Sequence, residues 1–317
     1  MKVALVVAPG RWEIADEAVP RPGPNEVLVE VHACGVCTYD LHVIQSSDAY
    51  PLRLGHEPSG VVAEVGSQVT ALAAGDRVTG RLYPSFAEYV LARAEDVVIL
   101  PDSIPFYQGL GEPLAVLVEG ERRSKVELGA RVAVVGLGFM GLAFTQLLAL
   151  RGASLIVGID PRADVREAAL RAGADQVFTP DALPDDYRLT RFDDWQTERG
   201  FDLVVEVSGS EAGLTLAGEL VRAHGTLSIL GSHESRVVQV GMWNWKAIDV
   251  VNAHVRDHAR LISSMRVGVG LLAAGRLSLG PLITHRYRLE EISTAFSKLE
   301  EKPPGFIKAV IDIAEER

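Results

Sequence analysis

Short runs of β-branched and apolar residues, separated by Gly, Pro and Asp, fill the first third of the chain. Runs of this length and composition are typical of β-strands, and the residues between them are typical of turns. Clear examples are Met1–Pro9, Glu26–Val31, Gly60–Val65 and Tyr89–Ala92. The pattern predicts a mostly antiparallel, barrel-like unit.

The pattern changes near Glu112, where apolar stretches lengthen and strand-like runs alternate with helix-length segments until about residue 252. This alternation predicts a parallel, doubly wound sheet. The later elements are predicted to be a helix at Met265–Leu277, a strand at Leu282–Tyr287, a helix at Leu289–Leu299 and a strand at Ile307–Ile313. We therefore expect an α/β protein with one domain formed by residues 1–115 and 253–317 and another formed by residues 116–252.

A glycine-rich turn follows the predicted strand Arg131–Val135 and opens an apolar helix. In such a fingerprint Gly136 permits the tight turn, Gly138 lets the backbone approach a pyrophosphate, and Gly141 allows close packing of helix and strand. Asp160 ends the next predicted strand about 20 residues on, as dinucleotide binding requires. The predicted nucleotide contacts are Gly136, Gly138, Phe139, Met140, Gly141, Asp160, Arg162, Ser208 and Gly231.

Asp160 also bears on the choice between NAD and NADP. A carboxylate at this position accepts hydrogen bonds from the ribose hydroxyls of NAD and repels the 2′-phosphate of NADP. Arg162, just past the strand, could instead pair with that phosphate. We expect NAD, because the acid occupies the ribose position itself.

Two short motifs carry metal-ligand chemistry. Cys37 lies in Cys34-Gly-Val-Cys37, and His56 and Glu57 are adjacent within a glycine-flanked segment. A thiolate, an imidazole and a carboxylate are the ligand types that Zn²⁺ prefers, and a catalytic zinc keeps one position open. A redox pair of Cys34 and Cys37 is the alternative interpretation. Under the zinc interpretation Cys34 is a buried, apolar side chain.

The composition excludes several classes of protein. The 317 residues include 42 acidic and 31 basic side chains, for a net charge of -11, which disfavours binding to nucleic acid or to anionic membranes. The first apolar run is too short for a signal peptide, and no run approaches the roughly 20 residues of a membrane helix. Two cysteines cannot form a disulfide framework. We expect a soluble, cytoplasmic protein with a small-molecule substrate.

Together and in this order, the motifs resemble those of the zinc-containing medium-chain alcohol and polyol dehydrogenases, in the sorbitol-dehydrogenase-like branch. The resemblance covers nearly the whole chain. It implies a GroES-like substrate domain, a Rossmann domain, and hydride transfer between NAD and a secondary alcohol, sugar alcohol, sugar or cyclitol, with zinc as a Lewis acid. It also implies a homodimer or homotetramer, and the β-rich segment Thr226–Val240 could supply the edge strand for such an assembly.

Carried over residue by residue, Cys37 and His56 resemble the first two zinc ligands of the family. Glu57 resembles the acid that ligates zinc in the polyol branch or exchanges with its water. Glu112 resembles the last, often water-bridged, acidic ligand, and the alternative for it is an acid favoured at a helix N-terminus. Asp40 resembles the carboxylate that orients the ligand histidine.

Two departures from the family pattern affect the expected chemistry. The cysteine-rich lobe that holds a structural zinc in many members is replaced by the short segment Thr79–Pro84, so we expect one zinc per chain. The proton-relay position, usually Ser or Thr, holds Tyr39. Tyr39 can still relay a proton, Thr38 could contribute, and His42 matches a relay histidine of some members or is an ordinary surface residue.

Two other functions are consistent with the nucleotide fingerprint. One is a zinc-independent NADPH enone or quinone reductase on the same fold, whose members normally lack the Cys and Gly-His-Glu ligand set. The other is a non-catalytic nucleotide-binding protein. The presence of the ligand set favours the zinc dehydrogenase over both.

Overall fold

A computed structural model describes residues 1–191, 193–194, 199–231 and 237–314. The chain divides into two compact units, Met1–Ala115 with His258–Arg317, and Val116–Asp257. Among the described residues, no helix has both the length and the apolar character needed to cross a bilayer.

The N-terminal part of the first unit is mainly β-structure, as the alternation of buried and exposed residues requires. Its elements are β1 (Lys2–Ala8), β2 (Arg11–Asp16), β3 (Glu26–Gly35), α1 (Thr38–Ser46), β4 (Leu52–Arg53), β5 (Pro58–Val65), β6 (Arg77–Gly80), β7 (Tyr89–Arg93) and β8 (Val97–Ile99).

The second unit alternates strands with helices. Its elements follow α2 (Gly111–Ser124), within which the boundary between the units falls, and are β9 (Arg131–Val135), α3 (Phe139–Leu150), β10 (Leu155–Ile159), α4 (Ala163–Arg171), β11 (Gln176–Phe178), β12 (Phe201–Glu206), α5 (Glu211–Leu220), β13 (Val221–Ile229), α6 (Val240–Trp245) and β14 (Asp249–Asn252).

The chain then returns to the first unit. The returning elements are α7 (His258–Ala273), β15 (Ile283–Arg288), α8 (Ile292–Glu301) and β16 (Lys308–Asp312). The helix predicted at Met265–Leu277 begins about two turns earlier than its apolar spacing indicated, and it ends at Ala273.

The first unit is built on a sheet in which the strands run β15-β16-β3-β5-β6-β8, with β7 also paired to β3; a smaller sheet has the order β2-β1-β4. All pairs are antiparallel except β15 with β16. The valines of β3 (Val27, Val29 and Val31) are at most 1% exposed and lie in the core of this unit. The barrel-like antiparallel unit predicted from the sequence is confirmed.

The second unit contains a six-stranded sheet with the order β11-β10-β9-β12-β13-β14, and every neighbouring pair is parallel. This is the strand order of a Rossmann fold, with the reversal between β9 and β12. Both of these strands are almost wholly buried, as expected of a parallel sheet covered on both faces. The predicted doubly wound sheet is confirmed.

The predicted edge strand at Thr226–Val240 is wrong in its position. β13, which covers the first part of this segment, lies inside the sheet between β12 and β14. Residues 232–236 lie outside the described part of the chain. The β-strand character of this segment reflects a buried strand, in which Leu227 and Ser228 are fully buried. The edge strand on this side of the sheet is β14.

Candidate active site

Strand pairing in the first unit brings the predicted metal ligands together. Cys37 follows the end of β3, while His56 and Glu57 precede β5, and the antiparallel register of these strands places Cys34 opposite Pro58. One ligand atom from each of Cys37, His56 and Glu57 lies within 4.8 Å of the others. Two zinc–ligand bonds together span at most about 4.6 Å, so a single ion can reach all three atoms after a small adjustment.

The ring of His56 is oriented by Asp40. The Asp40 carboxylate, 1% exposed, lies on α1 with Oδ1 3.2 Å from His56 Nδ1 and 3.4 Å from the Gly55 amide. Because Nδ1 faces Asp40, Nε2 is the ring nitrogen left for a metal. Asp40 therefore lies against the imidazole of the predicted ligand His56.

Glu57 is held from two sides. Its Oε2 lies 2.6 Å from the ammonium nitrogen of Lys308 in a buried ion pair. On the other side is Gly35, where an added Cβ would overlap with the same carboxylate oxygen. Lys308 was missed in the sequence, although a single lysine in the apolar run Ile307–Ile313 was a usable signal.

The charges of the cluster favour a cation. Burial opposes a charge on His56, but the hydrogen bonds and charges of Asp40 and Cys37 outweigh it and raise the imidazole pKa to about 12. Burial raises the pKa of the Cys37 thiol. Asp40 Oδ2 is buried and has no hydrogen-bond partner among the described residues. The site stabilises a positive charge and offers a sulfur, a nitrogen and an oxygen ligand atom. Both properties fit a divalent metal such as zinc.

Glu112 lies close to this cluster but outside the group of three ligand atoms. It is in the first turn of α2, and burial followed by the charge of Glu57 raises its pKa to about 7. Thr79 connects the segment that contains Glu57 with the segment that contains Glu112. Its hydroxyl donates to the Pro58 carbonyl (2.8 Å) and accepts from the Gly111 amide (2.8 Å). No local pattern in the sequence indicates this role for Thr79.

Helix α1 carries the three candidate relay residues. The Cys37 sulfur accepts a hydrogen bond from the Tyr39 amide at the start of this helix. The Tyr39 ring meets the His56 ring edge-on, with 5.6 Å between centroids, and its side chain is 60% exposed. Thr38 is exposed, and His42 is half-buried one turn later. Of these three, Tyr39 is the one whose ring contacts a predicted ligand.

A second group of metal-ligand types lies elsewhere in the first unit. It consists of Glu95, Asp96 and His258. Arg93 forms ion pairs with both carboxylates, at 2.8 Å and 3.2 Å, and Asp96 also faces His258. Because an arginine already balances these acids, the group is a poorer metal site than the one at Cys37.

The glycine-rich turn has the geometry of a nucleotide fingerprint. Gly136 has φ +98°, and a Cβ there would lie 2.6 Å from the Ser208 amide nitrogen, at the end of β12. A Cβ on Gly141 would overlap with the Gly136 carbonyl oxygen, whereas one on Gly138 would meet open space. The turn therefore needs two of its glycines for packing and keeps the third exposed for a ligand. Phe139 and Met140 begin α3.

Asp160 is fixed beside this turn. Its two carboxylate oxygens accept hydrogen bonds from the Leu137 amide (2.8 Å) and the Arg162 amide (2.9 Å). The Arg162 guanidinium pairs with Asp164 at 3.0 Å. The acid is therefore anchored next to the glycine turn, and the charge of the arginine is partly balanced by its neighbour.

Ser208 and Gly231 meet at a buried acid that sequence reasoning missed. Glu206, fully buried at the end of β12, accepts hydrogen bonds from the Ser208 amide and hydroxyl. Its carbonyl accepts from the Gly231 amide at 3.0 Å. Both predicted contacts thus lie at the carboxyl ends of neighbouring strands, where ligands bind in such sheets.

The GroES-like barrel unit and the Rossmann unit define the architecture of a medium-chain dehydrogenase. The sequence model of the alcohol dehydrogenase GroES-like domain matches residues 23–102, and that of the zinc-binding dehydrogenases matches residues 140–270. Sorbitol dehydrogenase of Gallus gallus is 31% identical over 331 residues, covering 90% of each chain. The chain belongs to the zinc-binding dehydrogenases of the medium-chain alcohol dehydrogenase family, which confirms the resemblance drawn from its motifs.

Two further comparisons agree with this placement. An alcohol dehydrogenase of Cupriavidus necator is 27% identical over 373 residues, covering 98% of each chain. The structure of a zinc-binding dehydrogenase from Sinorhizobium meliloti, bound to NADP, superposes with a TM-score of 0.85 at 26% identity and 98% coverage of each chain. The protein is an oxidoreductase of the alcohol and polyol dehydrogenase type.

Proposed function

We propose that this protein is a zinc- and NAD-dependent dehydrogenase of a secondary alcohol, with polyols, sugars and cyclitols as the substrate class. The observation that carries the proposal is the convergence of Cys37, His56 and Glu57 on one point, with Asp40 behind the imidazole. The similarity to a sorbitol dehydrogenase supports the polyol class. A zinc-independent reductase or a non-catalytic nucleotide-binding protein would have no use for such a ligand set.

When bound, zinc supplies a Lewis acid that lowers the pKa of the alcohol, and the nicotinamide supplies the hydride acceptor. The protein's own residues hold and orient the groups around the metal position. Asp40 fixes the tautomer of His56 by occupying Nδ1. Glu112, whose pKa is raised to about 7 by burial and by the charge of Glu57, is a further acidic group beside the ligand cluster. Tyr39 contacts the His56 ring and is largely exposed, so it is the candidate to pass a proton to solvent.

NAD is favoured over NADP by the position of Asp160. Its carboxylate is fixed by two backbone amides and retains lone pairs for the ribose hydroxyls, while its charge disfavours a 2′-phosphate. Arg162, the candidate phosphate ligand, is paired with Asp164. The Sinorhizobium meliloti structure binds NADP, so the assay must compare both nucleotides.

The first test is the zinc content of native protein, measured by elemental mass spectrometry for the wild type, Cys37→Ser and His258→Ala. We expect about one equivalent in the wild type, as for a single catalytic site. The equivalent should be lost in Cys37→Ser and kept in His258→Ala, which removes a ligand of the second group only. Reduction of NAD and NADP is then followed spectroscopically with a panel of polyols. No zinc in chelator-free wild-type protein would favour the enone reductase alternative.

A further inference from the structure

The ion pair between Lys308 and Glu57 is isolated from solvent. Lys308 is 6% exposed and Glu57 is 2% exposed, and their charged atoms are 2.6 Å apart. An unpaired charge at such depth is costly, so the Glu57 carboxylate depends on this ammonium group or on another cation in its place. A metal ion at the neighbouring ligands would be such a substitute for the lysine. Lys308 also has Cys37 and Glu112 as acidic neighbours.

Lys308 is anchored to the strand that leads to Cys37. β16 pairs with β3 in a register that places Val310 opposite Gly35, and the Val36 amide donates to the Ala309 carbonyl at 3.0 Å. Backbone hydrogen bonds thus fix the residues on either side of the ion pair relative to one another. The sheet therefore holds the backbone of Lys308 beside the cluster.

Glu57 is held in the cluster by its contacts with Gly35. The space occupied by its Oε2 exists only because residue 35 is glycine, and the Glu57 carbonyl accepts a hydrogen bond from the Gly35 amide at 3.1 Å. The same carboxylate supplies one of the three clustered ligand atoms. Glu57 is therefore shared between a fixed ammonium group and the metal position.

We propose that Lys308 is a positioning residue that competes with the bound metal for the Glu57 carboxylate and so sets the zinc affinity and the ligand set of the site. This inference rests on the proposed zinc function. It predicts that removing the ammonium strengthens zinc binding, because the Glu57 carboxylate is then no longer neutralised by the lysine. A lysine that merely supported the fold would give the opposite sign, since its loss would loosen the site.

The test compares the wild type, Lys308→Met, Lys308→Arg, Glu57→Gln and the double variant Glu57→Gln/Lys308→Met. Zinc affinity is measured by competition with a chromogenic chelator, and the ligand set is read from the visible absorption of the Co²⁺-substituted proteins. We expect Lys308→Met to bind zinc about tenfold more tightly, the scale on which supporting residues alter metal affinity. Its Co²⁺ spectrum should differ from that of the wild type. Lys308→Arg keeps the charge and should stay close to the wild type.

The double variant decides the mechanism. If Lys308 acts through Glu57, replacing the lysine in the Glu57→Gln background should leave both the affinity and the spectrum unchanged. An equal change in both backgrounds, or weaker zinc binding by Lys308→Met, would overturn the inference. Wild-type protein without zinc would instead refute the proposed function. If Lys308→Met does not accumulate as folded protein, Lys308→Gln, which keeps a hydrogen-bond donor, takes its place in every comparison.

Discussion

The carboxylate of Asp40 faces Nδ1 of His56 at 3.2 Å and is almost completely shielded from water. It holds the imidazole in the orientation and tautomer that leave Nε2 available. The site is therefore preorganised through a residue that is not itself among the clustered ligands.

Replacing Asp40 tests this preorganisation. We expect Asp40→Ala to weaken zinc binding about 10- to 100-fold, because the imidazole loses the partner that fixes it. Asp40→Asn, which keeps an acceptor for Nδ1–H, should lose less. The measurement is a competition titration with a zinc chelator, with the exposed Asp48→Ala as a matched control. Unchanged affinity in Asp40→Ala would contradict the role.

Replacing Thr79 tests the hydrogen bonds that connect the segment of Glu57 with the segment of Glu112. In Thr79→Val the Pro58 carbonyl and the Gly111 amide lose their shared partner at a buried position, which costs about 1–3 kcal/mol. Thr79→Ser keeps the hydroxyl and should lose little of this. Chemical unfolding compares the two variants with the wild type. A Thr79→Val variant as stable as the wild type would show that the hydrogen bonds contribute nothing.

Replacing Asp160 tests the choice of nucleotide. Asp160→Ala removes the acceptor of the ribose hydroxyls, so kcat/KM for NAD should fall about 10- to 100-fold, the value of one or two hydrogen bonds to a charged group. Activity with NADP should rise, because the repulsion of the 2′-phosphate is gone. Arg162→Ala serves as the comparison and should affect NADP alone. A wild-type preference for NADP would reverse the assignment.

Replacing Tyr39 tests the proton relay. Tyr39→Phe keeps the ring contact with His56 and removes only the hydroxyl, so we expect kcat to fall about 100-fold with little change in zinc content. Tyr39→Ala should lose zinc retention as well, because the ring no longer covers His56. A larger loss of kcat in His42→Gln than in Tyr39→Phe would assign the relay to the histidine.

Lys246 gives the unfolding free energy a predictable dependence on pH. Its ammonium lies inside the second unit and donates to the carbonyls of Gly218 (2.5 Å) and Val221 (2.7 Å), at the end of α5. Burial lowers its pKa to about 8 from the ordinary 10.5. Between these values the unfolded chain binds more protons than the folded chain, so this lysine makes stability rise as pH increases from about 8 towards 10.5.

The variant Lys246→Met isolates that contribution. The difference in unfolding free energy between the wild type and Lys246→Met should change in favour of the wild type as pH rises through this window, and should be constant below it. Chemical unfolding at a series of pH values measures the difference. A difference that does not vary with pH would show that the folded and unfolded states titrate this lysine alike.

Much of the fold and part of the site could be predicted from local patterns. The alternation of strands and helices and the spacing of Gly136, Gly138 and Gly141 are local features, so they predicted a Rossmann sheet that the structure confirms. The grouping of Cys37 with His56 followed from residue type and from a family resemblance. In each case neighbouring residues carried the information.

The parts that were missed depend on contacts between distant residues. Lys308 reaches Glu57 only because β16 pairs with β3, and Thr79 acts through two segments that its own strand does not contain. The edge strand was predicted at the wrong position for the same reason. A hydrophobic pattern with a period of two residues identifies a strand but does not show which strands lie beside it. Strand order and register are tertiary properties and leave little trace in a local window.

The register of β16 against β3 also has a consequence for the order of folding. Glu57 is made early, and the entire second unit is synthesised before Lys308. Until then the acid lacks its buried counter-charge, and closing the contact requires a long loop to be ordered. Under the proposed zinc function, a divalent cation that reached the nascent chain first would therefore meet a more acidic cluster than the one in the finished protein.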